Sequence, residues 1–235
     1  RHTRYGTVTG VQTCALPICA IVGALLYVAL VSRPDVACAV GLLSRALEKP
    51  TPKLMAAAIR VLQYLDTYKA LGIRYTKGGS SKLYGMSDSD WAVIKSTSGY
   101  VFFMACAAVA YLSKQQKSIA MSSTESELMS ASLAALEIVF LRGYFASLQL
   151  PQVGPTDLGI DNQGAIAISK NYISNSKTKH IERRHLKIRE LVEQMAVRTE
   201  FIPTDENAAD IFTKPLGRRK FEKFRKMILN HEEVH

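Results

Sequence analysis

Four acidic residues in this 235-residue chain stand where predicted secondary-structure elements begin or end. Two follow predicted strands and two lie on predicted helices: Asp88 and Asp161, then Glu127 and Asp210. Strand ends are where α/β sheets build their active sites. Carboxylates brought together there would repel each other unless cations were present, and their hard oxygen ligands favour Mg²⁺ or Mn²⁺. Two such ions can activate a water molecule and stabilise the leaving oxygen of a phosphodiester.

Three of these carboxylates also have a simple structural explanation. Glu127 could be only the glutamate of a helix cap, and Asp161 could be only a helix N-cap. Asp210 could be a solvated residue on a helix surface. For any one residue the structural explanation is the stronger, but the joint placement of the four in one strand–helix order favours a shared site.

The hydrophobic pattern divides the chain into a helical first part and a mixed second part. Residues 53–68 carry apolar side chains at helical spacing, and the flexible GGSS stretch at 78–81 is the predicted domain boundary. Beyond it, strands are predicted at 83–87, 99–104, 107–113, 157–160 and 197–202, and helices at about 122–148, 163–169, 181–196, 205–212 and 221–229. This order predicts an α/β fold with helices packed on a mixed sheet.

Residues 1–18 do not fit the rest of the pattern. The stretch VTGVQTCALPI resembles the translation of a sequencing-adapter oligonucleotide, so residues 1–18 are expected to be foreign to the protein and disordered. The longest apolar runs, at 19–31 and 101–112, are shorter than the roughly 20 residues that a membrane span requires. No membrane partner is therefore expected.

The charge balance indicates a polyanionic partner. The formal net charge is +10, which favours nucleic acid, although solvated surface lysines give the same balance. None of the four cysteines forms a CxxC pair or stands near a histidine at metal-site spacing. Neither a disulfide framework nor a zinc site is expected, and a reducing compartment fits.

Six segments of the second part carry a family resemblance: YGMSDSDWA, KSTSGYVFF, SKQQKSIAMSSTESELMSAS, IDNQGAIAISKN, SNSKTKHIERRH and FIPTDENAADIFTKPL. In this order they resemble the ribonuclease H domain of copia-type retrotransposon Pol polyproteins, from about Lys82 to Leu216. The upstream stretch AIVGALLYVALVSRPDVACAVGLLSRALEKP resembles the helical end of the reverse transcriptase that precedes that domain.

The resemblance implies a ribonuclease H-like fold with a five-stranded mixed sheet flanked by helices and preceded by a small helical segment. It assigns residues 19–77 to the C-terminal end of the reverse transcriptase, 82–216 to the ribonuclease H domain and 217–235 to a basic helix or tail. It implies cleavage of the RNA strand of an RNA–DNA hybrid with two Mg²⁺ or Mn²⁺ ions. The expected partners are the hybrid and the rest of the polyprotein, inside the cell, in the cytoplasm, the nucleus or a virus-like particle.

Carried over position by position, the resemblance implies four catalytic and metal-binding carboxylates: Asp88, Glu127, Asp161 and Asp210. Glu125 competes with Glu127, which is preferred because it directly precedes Leu-Met, as the helix glutamate does across ribonuclease H domains. Asp90 competes with Asp88, which is preferred because it comes sooner after the strand.

A second set of residues is expected to contact the hybrid, the first three because they match contacting positions of the family and the last two because of their charge: Ser123, Thr124, Gln163, Lys179 and Arg184. The first three have helix capping as an alternative role. The last two lie in a basic segment, 177–189, whose lysines and arginines would bind phosphates with release of counterions. A solvated helix surface explains the same segment, and the basic stretch 218–226 is either a further phosphate-binding element or a basic tail.

Two features separate this chain from an intact enzyme of the family. The loop at 91–95, between the first two predicted strands, is shorter than the family's and could displace Asp88. The YVDD-type motif of the polymerase is absent, so no DNA synthesis is expected. Two other functions stay open: a non-catalytic nucleic-acid-binding remnant, and another nuclease or strand-transfer enzyme on the same fold.

Overall fold

The computed structural model describes residues 10–92, 95–170 and 186–231, with side chains from residue 17 onward. The chain divides into two compact units, Arg1–Gly72 and Ile73–His235. The boundary predicted at 78–81 therefore lies a few residues inside the second unit. The basic C-terminal helix belongs to the same unit as the sheet.

The first unit is helical. It contains α1 (Gly10–Val31), a short 3₁₀ turn (Pro34–Val36), α2 (Ala37–Arg45) and α3 (Pro52–Thr67). The Thr51 hydroxyl accepts a hydrogen bond from the Leu54 amide at 3.2 Å and caps α3, whose first residue is a proline. The three helices bury a shared apolar cluster: Ile18, Val22, Leu25, Ala29, Val36, Val40, Leu43 and Ala58.

The expectation that residues up to 18 are disordered is wrong for residues 10–18, because α1 begins at Gly10. Ile18 is only 1% exposed and packs in the cluster of the first unit. The physical reason is spacing: Ile18, Val22, Leu25 and Ala29 follow one another at helical intervals, so one apolar stripe crosses the predicted boundary. Residues 1–9 lie outside the described part of the chain.

The second unit is built on a five-stranded sheet with the strand order β3-β2-β1-β4-β5. The strands are β1 (Tyr84–Asp90), β2 (Thr97–Met104), β3 (Ala107–Gln115), β4 (Thr156–Ile160) and β5 (Val197–Phe201). The first three pair antiparallel, whereas β4 pairs parallel with both β1 and β5. This confirms the mixed sheet and the ribonuclease H-like fold that the resemblance implied.

Five helices of the second unit are described: α4 (Ser123–Ser147), α5 (Gln163–Lys170), α6 (Lys187–Glu193), α7 (Asp210–Thr213) and α8 (Arg218–Leu229). The helix predicted at 181–196 is described only from residue 186 and ends at Glu193. The helix predicted at 205–212 is wrong in extent, because turns precede a short helix that begins at Asp210. The buried Asn207 amide donates to the Ser87 carbonyl at 2.9 Å and ties this segment to β1.

Helix α4 forms the centre of the core. Its buried side chains, which include Leu128, Ala131, Ala135 and Ile138, pack in one cluster with residues of the sheet such as Phe102. Of the residues that the structure describes, only those of α4 form a helix long and apolar enough to cross a membrane, and half of the relevant window is buried. A core helix satisfies the same criterion, so its burial here accounts for its apolar composition.

Candidate metal and active site

The alternation of side chains along β1 sets the geometry of the site. Ser89 faces α4, where the Ser126 hydroxyl donates to its hydroxyl oxygen at 2.7 Å. Met86 points the other way, and its sulfur accepts from the Ala208 amide at 3.3 Å. Asp88 shares the Met86 side of the strand and is only 1% exposed. It lies within β1, which runs three residues beyond the predicted strand.

Three of the predicted carboxylates meet. One oxygen each from Asp88, Asp161 and Asp210 lies within 4.8 Å of the other two. The parallel pairing of β1 with β4 brings Asp88 and Asp161 together, because the C-terminal ends of the two strands are neighbours. Asp210 reaches the same place as the first residue of α7 and is fully buried, so its interpretation as a solvated helix residue is wrong.

Glu127 is not within that 4.8 Å group, but it lies beside it. Its Oε1 accepts from the Ser89 amide at 3.2 Å, while its buried Oε2 has no hydrogen-bond partner among the described residues. Burial raises the pKa of Glu127 to about 9, and the neighbouring charges of Asp88 and Asp161 contribute to the rise.

Burial likewise raises the pKa of Asp88 to about 7, even though the nearby Lys214 ammonium opposes the shift. The charges of Asp210 and Asp161 add to the rise, whereas a hydrogen bond from Thr213 lowers it. Like charges in a dry setting thus disfavour ionisation of both Asp88 and Glu127.

Glu125 has the capping role that was considered for Glu127. The Ser122 hydroxyl accepts from the Glu125 amide at 3.1 Å, and the Glu125 carboxylate accepts from the Met121 amide at 2.7 Å. This pair of bonds is a variant of the capping box at the start of α4, in which the glutamate accepts from the residue before the N-cap. Asp90, the competitor of Asp88, is half-buried at the end of β1 opposite Thr97 and lies outside the group of three aspartates.

The helix-cap explanation of Asp161 is also wrong. The adjacent Asn162 caps α5, because its side-chain oxygen accepts from the Ala165 amide at 2.9 Å. The Asp161 carboxylate instead accepts from the Thr204 hydroxyl at 2.9 Å and faces the other aspartates. Asn162 thus has the structural role of capping α5, and the adjacent Asp161 contributes its carboxylate to the site.

Two lysines that the sequence analysis did not assign to the site contact its carboxylates. Lys214 Nζ lies 2.8 Å from Asp210 Oδ1 and 3.6 Å from Asp88 Oδ2, and Lys220 Nζ lies 2.5 Å from Asp210 Oδ2. These contacts are ion pairs, because each ammonium nitrogen lies close to a carboxylate oxygen of opposite charge. The four-residue spacing from Asp210 to Lys214 was the available signal for the first of them.

A buried network of small polar side chains supports the site. The Gln116 amide donates to the Ser98 hydroxyl at 2.9 Å and to the Ser126 carbonyl at 3.0 Å. The Ser130 hydroxyl donates to the Asp88 carbonyl at 2.7 Å. Together with the bond between Ser126 and Ser89, these contacts fix α4 to β1 and β2, and thereby fix the backbones that carry Asp88 and Glu127.

Gly99 allows α7 to approach the sheet. A Cβ atom at this position would lie 2.6 Å from Thr213 Cγ2 and 2.9 Å from Phe212 Cβ. Gly99 stands opposite Asp88 in the β1–β2 ladder. Its missing side chain therefore provides the space in which Thr213 and Asp210 reach Asp88.

The predicted hybrid-contacting residues fall into two groups. Ser123 and Gln163 are exposed first residues of α4 and α5, and Thr124 is half-buried. A Cβ on Gly164 would lie 3.1 Å from Thr124 Cγ2, so the beginnings of the two helices are adjacent. Lys179 and Arg184 lie outside the described residues.

The donor set fits a hard divalent cation. Asp88, Asp161 and Asp210 offer only carboxylate oxygens, within the spacing that ligands of one ion show. The buried Glu127 Oε2, without a hydrogen-bond partner in the described part of the chain, is a further oxygen donor beside them. Burial and, to a smaller extent, the neighbouring negative charges raise the pKa values of Asp88 and Glu127, and a bound cation would offset both effects.

Comparison with known proteins assigns the chain to a family. It is 36% identical over 221 residues to the retrovirus-related Pol polyprotein from transposon TNT 1-94 of Nicotiana tabacum, a match that covers 92% of this chain. It is 35% identical over 208 residues, 87% of this chain, to the Pol polyprotein from transposon RE1 of Arabidopsis thaliana. The chain belongs to the Pol polyproteins of copia-type retrotransposons.

The matched Pol polyproteins are much longer than this chain, which spans 16% of the first and 14% of the second. A third relative, named secreted RxLR effector protein 161 of Plasmopara viticola, is 43% identical over 130 residues. That match covers 54% of this chain and 92% of the relative. No protein-family model matches the chain.

Among solved structures, the chain is similar to the N-terminal ribonuclease H domain of rv2228c from Mycobacterium tuberculosis, determined as a fusion with maltose-binding protein. The TM-score is 0.44 at 11% sequence identity, and the match covers 63% of this chain and 98% of that chain. The assignment of the fold rests on the strand order and pairing described above.

Proposed function

We propose that this chain hydrolyses the RNA strand of RNA–DNA hybrids as part of retrotransposon reverse transcription. The observation that carries the proposal is the meeting of Asp88, Asp161 and Asp210 within 4.8 Å, in a ribonuclease H-like fold and a Pol-family chain. The net charge of +10 suits a polyanionic substrate.

The residues proposed to hold two Mg²⁺ or Mn²⁺ ions are the four carboxylates: Asp88, Glu127, Asp161 and Asp210. When bound, such ions supply Lewis-acid stabilisation of the attacking and leaving oxygens of a phosphodiester. The protein's own part is to hold the ligands: Thr213 donates to Asp88, Thr204 donates to Asp161, and the Ser89 amide fixes Glu127. Such neighbours orient ligands for a metal ion.

The adjacent beginnings of α4 and α5 are the proposed contact surface for the hybrid. Ser123, Thr124 and Gln163 would donate to its backbone there, and the positive end of the helix dipole at each helix start favours phosphate. Lys179 and Arg184 are proposed as phosphate contacts farther along the duplex. Contacts to 2′-hydroxyls and to the shape of the groove would distinguish RNA from DNA.

The test is cleavage of an end-labelled RNA–DNA hybrid by the full chain, with Mg²⁺ and with EDTA. We expect Mg²⁺-dependent cutting of the RNA strand alone. Asp161→Asn should lower the rate about a thousandfold, because loss of a ligand removes several kcal/mol of transition-state stabilisation. Asp157→Asn is the matched control, since Asp157 lies on β4, which Asp161 directly follows, but pairs with Lys82 and Arg198 instead.

Three results would contradict the proposal in different ways. Undiminished cleavage by Asp161→Asn would reject the assignment of the site. A folded wild-type chain that binds the hybrid without cutting it would favour the non-catalytic remnant. Equal cutting of duplex DNA would favour another nuclease on this fold.

The hypothesis of a non-catalytic remnant was based on the short loop between the first two strands. Asp88 nevertheless lies in the group of three aspartates, and the β1–β2 ladder continues past it to the pair Asp90–Thr97.

A further inference from the structure

We infer that Lys214 and Lys220 are resident counterions of the carboxylate site, which hold the Asp210 side chain in the metal-free protein and which an incoming divalent cation displaces. The inference deepens the proposed function and rests on it, since it concerns the same site. It assigns these lysines a role in metal binding that is separate from contact with the substrate.

The contacts place one ammonium group on each Asp210 oxygen. Lys214 Nζ lies 2.8 Å from Oδ1 and Lys220 Nζ lies 2.5 Å from Oδ2, while the carboxylate itself is fully buried. Lys214 also lies 3.6 Å from Asp88 Oδ2, so a single ammonium joins two of the three clustered aspartates. A buried carboxylate needs such compensation, because removal of its charge from water is costly.

Local structure brings both lysines to this point from one short segment. Lys214 directly follows α7, of which Asp210 is the first residue, and Lys220 lies in the first turn of α8. The Lys220 ammonium also lies 5.5 Å from the centre of the Phe224 ring, which orients it from within α8. The segment that supplies the carboxylate therefore supplies its counterions as well.

Partial exposure makes these counterions displaceable. The Lys214 and Lys220 side chains are 34% and 27% exposed, so their ammonium groups can move into water without unfolding of the backbone. A Mg²⁺ ion binds its oxygen ligands at about 2.0–2.1 Å. An ammonium that remained against the same oxygens would repel it, so lysine and metal compete for Asp210 and Asp88.

The experiment measures the full chain by thermal unfolding, first in EDTA and then across a MgCl₂ titration. In EDTA, Lys214→Met should lower the unfolding midpoint by about 3 °C, as a loss near 1 kcal/mol does in a protein of this size. Because the variant lacks the competing ammonium group, the apparent Kd of Lys214→Met for Mg²⁺ should be roughly tenfold lower than that of the wild type. Lys214→Arg, which keeps the charge, should restore the midpoint in EDTA.

Lys226→Met is the matched control. It removes the same charge from α8, but Lys226 lines a cavity with Tyr84, Cys106 and Met227 instead of the carboxylates. We expect its Mg²⁺ affinity and its midpoint in EDTA to match those of the wild type. Lys220→Met provides a second test variant, with the same expected direction, should Lys214→Met fail to fold.

The inference is overturned if the lysine variants melt in EDTA like Lys226→Met, or if their Mg²⁺ affinity is unchanged or weaker. Failure of the proposed function has a different signature, in which wild type and variants alike gain no stability from Mg²⁺. That result would reject the metal site and the displacement step with it. The midpoints in EDTA would still decide whether the lysines are counterions.

Discussion

Asp35 in the helical unit and Asp88 in the sheet unit are both buried aspartates, but their surroundings differ. Asp35 accepts from Arg33 Nε at 3.0 Å, from Arg33 Nη2 at 2.8 Å and from the Tyr64 hydroxyl at 2.7 Å. Asp88 has a hydrogen bond from Thr213 and a lysine ammonium at 3.6 Å, and it lies beside two further carboxylates.

This difference separates a structural acid from an acid of a site. A buried carboxylate held by a guanidinium and a hydroxyl is compensated by its own unit and has little need of a further cation. Asp88 and Glu127 face other carboxylates and are less fully compensated, and their raised pKa values record the cost. Burial alone therefore does not identify a functional acid; incomplete pairing among like charges does.

The largest expected effect on stability concerns Asp35, the buried aspartate that is paired with an arginine. Arg33→Met leaves the Asp35 carboxylate buried without its ionic partner, which should destabilise the helical unit by about 3–5 kcal/mol. Hydrogen exchange of the amides of α1, α2 and α3 would measure the loss. The double variant Arg33→Met/Asp35→Leu should recover most of it, because no unpaired charge remains. A loss below about 1 kcal/mol in the single variant would mean that the pair is not structural.

The second prediction concerns the pH dependence of stability that Asp88 and Glu127 should cause. The pKa values of Asp88 and Glu127 are raised in the folded protein, to about 7 and about 9, above the values of an unfolded chain. The folded state therefore holds protons that the unfolded state has released, and stability in EDTA should fall as pH rises from about 4 towards 9. The slope is at most about 1.4 kcal/mol per pH unit for each retained proton.

Urea unfolding at a series of pH values would measure this slope. Glu127→Gln should flatten it, since a neutral amide cannot lose the proton, and saturating Mg²⁺ should reduce it for the wild type. The Asp157→Asn variant serves as the control, because that carboxylate has a lowered pKa through its pairs with Lys82 and Arg198. Rising stability between pH 6 and pH 9 in EDTA would contradict the prediction.

The sequence predicted those parts of the fold that depend on local pattern. Alternation and helical spacing located all five strands and helices α4 and α5 to within a few residues. The joint placement of four acids after strands and at helix starts indicated the site before any geometry was available. Resemblance then distinguished Glu127 from Glu125, and the capping box at Ser122 gives a physical reason for that preference.

The remainder depended on contacts between distant residues. Asn207 bonds to the carbonyl of Ser87, a pairing across 120 positions, and no local signal predicts that it would limit α7 to a short helix. The same holds for Lys220, whose contact with Asp210 depends on how α8 folds back. The prediction for residues 1–18 was wrong over 10–18 because it was based on the foreign character of the segment and not on its helical spacing.

The smallest expected effect on stability distinguishes a structural residue, Asn162, from the adjacent site residue, Asp161. Asn162→Ala removes the cap of α5 and should cost about 1 kcal/mol, since the Ala165 amide loses its acceptor. Asp161→Asn removes a charge from a group of repelling carboxylates and can keep the bond from Thr204, so in EDTA it should cost nothing or stabilise slightly. If the structural and site roles are divided as described, thermal unfolding should show a lower midpoint for Asn162→Ala and no loss for Asp161→Asn. An equal loss of stability in both variants would contradict this division. It would indicate that the Asp161 carboxylate stabilises the start of α5 and is not one of the three oxygens available to a cation.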